Sequence, residues 1–148
     1  MTDKKHNFVS GNSITAQTLA DRSGVSPEIV RYYTRRGLLE PVRHPRNNYR
    51  LYRESDVVRI RFIRRAKNLG YTLNEIGKIF EQSNRGESPC PLAREIIERR
   101  VVDNRKKLDE MLQLQTRIEA ASAHWATLPD KVPDGNTICY LIESSTEI

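Results

Sequence analysis

Nine positions in the second half of this chain recur at alternating intervals of four and three residues: Ile97, Val101, Asn104, Leu108, Met111, Gln115, Ile118, Ser122 and Trp125. That spacing is the seam of a coiled coil. Neither proline nor glycine interrupts Leu92 to Leu128, so a single helix about 50 Å long is expected at the standard rise per residue. A chain of 148 residues whose other helices are short offers such a helix no partner. The seam therefore predicts a two-helix coiled coil with a second copy of the chain. A free, solvated tail is the rival reading, disfavoured because a stripe of apolar positions on one face needs burial. Asn104 and Gln115 are polar members that can set register and orientation at some cost in stability. Whether the helices run parallel or antiparallel is not readable from the spacing.

The residues before this helix form short elements with clear boundaries. From Ile14 a helix can run to Gly24, with Thr15 as a cap and Ala16, Leu19 and Ala20 as its apolar stripe. Ser26 caps a second helix and Pro27 occupies its first position, where a missing N–H does no harm. Ile29, Val30 and Tyr33 recur at helical spacing until Gly37. Two short helices joined through a glycine-containing turn read as helix-turn-helix. Residues 38–53 carry two prolines, then Asn47 and Asn48, and predict a two-stranded hairpin with the asparagines near its tip. Tyr49 and Leu51 are expected on one face and Arg50 and Tyr52 on the other. A third helix over 56–69 turns Val57, Ile60, Ile63 and Leu69 inward, and Thr72 with Glu75 makes a capping box for a fourth. In that fourth helix Ile76, Ile79 and Phe80 form the stripe, and the loop from Ser83 to Pro89 ends it.

The fold class is thus mainly α: a winged helix-turn-helix head with a small β-hairpin wing, followed by a long dimerisation helix. The expected organisation is a flexible N-terminus (1–12), the winged helix-turn-helix head (13–82), a linker (83–90), the dimerisation helix (91–128), and a C-terminal loop and tail (129–148).

Charge separates along the chain. Residues 1–80 carry 16 Lys/Arg against 7 Asp/Glu, whereas residues 81–148 carry 9 against 12. The basic half would feel a phosphate backbone as a long-range attraction that salt weakens. No apolar run approaches the length of a membrane helix and no secretory leader is evident, so a cytoplasmic protein without membrane contact is expected. Cys90 and Cys139 lie far apart and make no local disulfide framework. Nothing pairs a nucleophile with a base at interpretable spacing, so an enzyme is not expected.

A helix that enters the major groove needs polar side chains on its outer face. The second helix supplies Arg31, Arg35 and Arg36, with Glu28 and Thr34 beside them. Glu28 and Arg31 are expected near base edges and the Tyr33 hydroxyl at a phosphate. In the wing, Arg43, Arg46, Asn47, Tyr49 and Arg50 are placed to grip backbone beyond the groove, and Arg59, Arg64 and Arg65 are expected to extend the same face. Core packing is the competing role for Tyr33 and Tyr49.

The stretches "LADRSGVSPEIVRYYTRRGLLEPVR" and "NNYRLYRESDVVRIRFIRRAKNLGYTLNEIGKIF" resemble the amino-terminal DNA-binding domain of the MerR family of transcription regulators. The likeness is strong over residues 14–80 and looser over the long helix and tail. It implies a homodimer whose long helices pair antiparallel, with two heads on a near-palindromic operator in an overlong promoter spacer. It further implies that an effector makes the dimer bend and untwist this spacer so that RNA polymerase engages both promoter elements, a choice between two DNA shapes. By the same likeness Tyr33 and Arg50 contact backbone and Arg31 belongs to the groove-facing helix.

The metal-sensing branch places one cysteine where Cys90 stands in "SPCPLAREI" and another where Cys139 stands in "TICYLIES". In the antiparallel dimer the first cysteine of one chain meets the loop of the other. The middle cysteine of those relatives falls here at about His124 and Trp125, so a nitrogen from His124 and an oxygen from Asp134 would complete a soft or borderline site. A thiophilic ion is implied: zinc, cadmium, mercury, lead or copper. A thiol-based sensor of oxidants or electrophiles is the alternative, and a signal-independent architectural DNA-binding protein a third reading.

Overall fold

The computed structural model describes residues 13–145, so the expected loose segment 1–12 lies outside the described residues. The elements run β1 (Ser13–Thr15), α1 (Ala16–Ser23), α2 (Pro27–Arg35), β2 (Val42–Arg43), β3 (Arg50–Arg53), α3 (Ser55–Asn68), α4 (Leu73–Asn84), α5 (Cys90–Trp125) and α6 (Tyr140–Glu143). Contacts group them into two units that divide after Glu98.

In the first unit each helix starts where a side chain supplies an acceptor. The Thr15 side chain takes the N–H of Thr18, that of Ser26 the N–H of Ile29, and Thr72 exchanges both bonds of a capping box with Glu75. These satisfy amides that the first turn leaves unpaired. Gly24 ends α1 at φ 67, and a Cβ there would stand 3.4 Å from a guanidinium nitrogen of Arg64. Glycine relieves both the left-handed backbone and that crowding.

The expected helix start at Ile14 is corrected: Ser13–Thr15 is a strand, and the helix begins at Ala16. β1 and β2 flank β3 in an antiparallel three-stranded sheet, with Ile14 opposite Tyr52 and Val42 opposite Leu51. The hairpin is the expected one, and Asn48 turns its tip at φ 60. Tyr49, however, precedes β3 and is 69% exposed, so it does not share a strand face with Leu51. Leu69 is also corrected: it is 61% exposed because it sits past the last turn of α3, and Tyr71 fills the interior instead.

Two apolar clusters hold the head together. One gathers Leu19, Ala20, Val30, Leu39, Tyr52 and Ile60; the other gathers Leu38, Ile63, Ile76, Ile79 and, from the first turns of α5, Ile96. Tyr33 packs against both. The Tyr71 hydroxyl donates to the Ala93 carbonyl at 2.6 Å, pinning the start of α5 to the head.

The second unit holds the rest of α5, the loop after it and α6. Helix α5 starts at Cys90 and ends at Trp125, with turns through Leu128. Ile96 is its only buried residue in the single chain, and the seam positions Val101, Leu108, Met111 and Ile118 are all more than half exposed. No helix among the described residues is long and apolar enough to cross a membrane.

Candidate nucleic-acid interface and thiol sites

Helix α2 buries Val30 and turns Glu28, Arg31, Tyr32 and Arg35 to solvent. The helix is tied to the wing by hydroxyls: Thr34 donates to the Val30 carbonyl at 2.7 Å, and its oxygen lies 2.8 Å from the hydroxyl of Tyr52. Tyr52 is fully buried, so the wing strand is anchored by a ring below and a hydrogen bond above. This pair was not visible in the sequence, where Thr34 reads as a surface residue and Tyr52 as the neighbour of Arg50.

A groove of about 710 Å³ lies between the start of α1, α2 and the wing. Arg31, Arg43, Tyr49 and Arg50 line it, so four of the residues expected at DNA converge, joined by Gln17 of α1, which sequence reasoning missed. Gln17 belongs to a different element, and only its position in the fold brings it there. A concave surface edged by three guanidinium groups is the electrostatic complement of a phosphate backbone.

The wing tip is held by its own polar groups. The side-chain carbonyl of Asn47 accepts from the amide of Tyr49 at 3.1 Å, and Arg43 donates to the Asn48 carbonyl at 3.0 Å. Both residues therefore shape the loop that presents Arg46 and Tyr49, which are exposed.

Tyr33 is half-buried, and burial raises the pKa of its hydroxyl against the opposing pull of Arg64. The neighbouring Tyr32 is the more open ring, with Arg35 and Arg36 guanidinium carbons each 5.9 Å from its centroid. Arg36 also reaches Asn74 on α4 at 2.9 Å. Of the arginines expected to extend the basic face, Arg59 bridges to Asn84 at 2.8 Å and Arg64 donates to the Ser23 carbonyl at 3.2 Å, while Arg65 is exposed. Asp56, buried at the start of α3, accepts from the Arg53 amide at 2.9 Å. Desolvation raises its pKa, opposed by that hydrogen bond and by Arg59.

Both cysteines are free thiols; Cys90 is exposed at the first residue of α5, and Cys139 is half-buried before α6. The loop leading to Cys139 is ordered by carboxylates. Asp134 accepts the amides of Asn136 and Thr137 at 2.7 and 3.0 Å, which lowers its pKa. Glu143 accepts those of Ile138 and Cys139 at 3.0 and 2.9 Å, and the Tyr140 hydroxyl donates to the Pro129 carbonyl. His124 is exposed, and with Trp125, Ile118 and Ile142 it lines a groove of about 820 Å³ at the end of α5. Among the described residues, no three His, Cys, Asp or Glu side chains of one chain are gathered around a common metal position.

The chain matches the family described as MerR HTH family regulatory protein over residues 14–83, and a MerR DNA-binding region over residues 57–121. It is 30% identical over 128 residues to the mercuric resistance operon regulatory protein of Bacillus cereus, covering 85% of this chain and 92% of that one. With the protein of the same description from Shigella flexneri it shares 32% over 133 residues, 89% of this chain and 87% of that one. The regulator ZntR of Escherichia coli is 28% identical over 68% of this chain and 72% of its own length. The fold is that of the transcription regulator PbrR691 from Ralstonia metallidurans CH34, crystallised with lead(II), at a TM-score of 0.70 and 23% identity over 88% of this chain and 98% of that one.

Proposed function

The chain belongs to the MerR family of DNA-binding transcription regulators, and from that premise we propose that it works as a homodimer that distorts promoter spacer DNA when a thiophilic metal ion binds. The observation that carries the DNA half of this reading is the groove between α2 and the wing, where Arg31, Arg43 and Arg50 meet. The metal half rests on donor chemistry. Two free thiols and an exposed imidazole are soft and borderline ligands that suit mercury, lead, cadmium, zinc or copper better than a hard cation. The relatives named for mercuric resistance and the fold neighbour crystallised with lead(II) point the same way.

In this reading Cys90 of one protomer and Cys139 of the other hold the ion, His124 completes the set, and two copies are needed to build one site. These side chains would hold the ion across the two chains, where it would supply a soft cross-link between protomers, and the heads act on the DNA between the two promoter elements, which RNA polymerase then engages. Because only a ligand that prefers one conformation can shift the equilibrium, the ion must bind the DNA-distorting state more tightly.

Anaerobic titration of the reduced protein with mercury(II), lead(II), cadmium(II), zinc(II) and copper(I), followed by native mass spectrometry and by transcription in vitro, tests the proposal. Stoichiometric uptake of at least one ion, lost in Cys90→Ala and in Cys139→Ala together with induction, is expected. If no ion binds and mild oxidant instead joins the two chains through these cysteines, the exposed Cys90 thiol serves a redox sensor and the metal reading is overturned.

A further inference from the structure

Helix α3 has an outward face that neither the interior of the head nor the groove between α2 and the wing uses. Val58, Phe62, Arg65 and the cap residue Leu69 follow one another at intervals of four, three and four, on the side opposite the buried Ile60 and Ile63. Val58 is 65%, Phe62 38% and Leu69 61% exposed. Single apolar side chains are ordinary on a surface, but three in one row over about 16 Å of helix make a ridge that calls for cover. Phe62 is steadied by Phe80 of α4, their ring centroids 5.5 Å apart, and the Arg59 guanidinium carbon lies 5.0 Å from the centroid of that Phe80 ring.

Beside the ridge, Arg61, Arg64, Arg65 and Asn68 line a cleft of about 420 Å³. Arg64 donates to the Ser23 carbonyl, and among the described residues the ion pairs involve none of these three arginines. The one carboxylate of α3, Asp56, is buried on the inner side. The outward face is therefore an apolar ridge with a basic cleft along one flank whose charge no acid of α3 offsets. Aromatic rings and arginines are the side chains that protein interfaces favour.

We propose that this face of α3 docks an acidic amphipathic helix of a second protein. The apolar stripe of that helix lies on Val58, Phe62 and Leu69, and its carboxylates enter the arginine cleft. Three turns of ridge call for a stripe of equal length on the partner, the usual geometry of a helix laid in a groove. A phosphate backbone would take the arginines and leave the ridge in water. A flat anionic bilayer would meet the ridge and pass over the cleft sunk beside it. Residues 1–12 carry Lys4 and Lys5 against Asp3, so their charge has the wrong sign for the cleft. The docking depends on neither the metal site nor the DNA contacts proposed above.

A dye-labelled helical peptide of about twenty residues, long enough to hold its helix, with leucines in one stripe and glutamates beside it, is the probe. It is titrated with the full chain and followed by fluorescence anisotropy. Saturable binding is expected, and a peptide with lysine in place of each glutamate should bind at least about tenfold more weakly. Arg61→Gln combined with Arg65→Gln should weaken the acidic peptide about tenfold, and so should Val58→Ser combined with Phe62→Ser. The apolar pair of changes should leave duplex DNA binding and sedimentation of the chain unaltered.

Absence of peptide binding, equal binding of the acidic and basic peptides, or no effect of either pair of changes overturns the proposal. It is equally overturned if the apolar changes weaken association with duplex DNA, with a second copy of the chain or with phosphatidylserine vesicles, since each result names a different occupant. If the paired apolar change loosens the contact of Phe62 with Phe80, seen as a lower urea midpoint, Val58→Ser alone supplies the readout. It must still weaken the acidic peptide, and unchanged binding overturns the docking.

Discussion

Arg50 opens the wing strand β3, opposite Arg43 in the sheet and on the rim of the groove beside α2. In the proposed reading α2 enters the major groove and the wing lies beyond it, so the Arg50 guanidinium would meet a phosphate rather than a base. Arg50→Ala should therefore weaken binding to all duplexes by about tenfold and reduce the slope of log affinity against log salt by about one. An altered sequence preference at unchanged slope would place this side chain at a base instead. Asp56 supplies a pH-dependent counterpart. Burial lifts its pKa above the ordinary carboxylate range, so its ionised form costs the folded head stability, and that cost appears as pH rises through its titration. Asp56→Asn keeps an acceptor for the Arg53 amide. Its stability relative to the natural sequence should grow between acid and neutral pH and level off at the acid end, in urea unfolding followed by circular dichroism.

At the level of elements, what the sequence disclosed depended on the range of the interaction. Caps are local, so Thr15, Ser26 and the box of Thr72 and Glu75 could be read directly from spacing. Thr72→Ala removes one bond of that box and should cost about 1 kcal/mol, seen as a lower urea midpoint at unchanged slope. Strand β1 is only three residues long and exists because β3 offers it an edge, a partnership some forty residues away that leaves no alternation to detect. The hydroxyl contact of Thr34 with Tyr52 escaped for the same reason. Leu69 was misplaced because helical periodicity continues on paper past Asn68, where α3 ends and the chain prepares to turn at Gly70. In the groove between α2 and the wing, Arg31, Arg43, Tyr49 and Arg50 were legible as polar residues on a helix and a hairpin. Gln17 was not, since nothing in α1 alone marks its side chain as belonging with them.

For the whole molecule, the seam of α5 is an uncovered apolar stripe, with Val101, Leu108, Met111 and Ile118 open in one chain. Covering it by a second copy ties stability to concentration, so a tenfold increase in protein should raise the melting temperature by about 2 °C. A melting temperature independent of concentration would show that the long helix stands alone. Within the head, Tyr33 occupies the wall between two packed interiors, one beneath the wing and the other reaching Ile96 near the start of α5. The bond from Tyr71 to Ala93, three residues from Cys90, ties the first turns of α5 into the second of these interiors. Through Tyr33 the start of the long helix and the wing rest on opposite sides of one side chain.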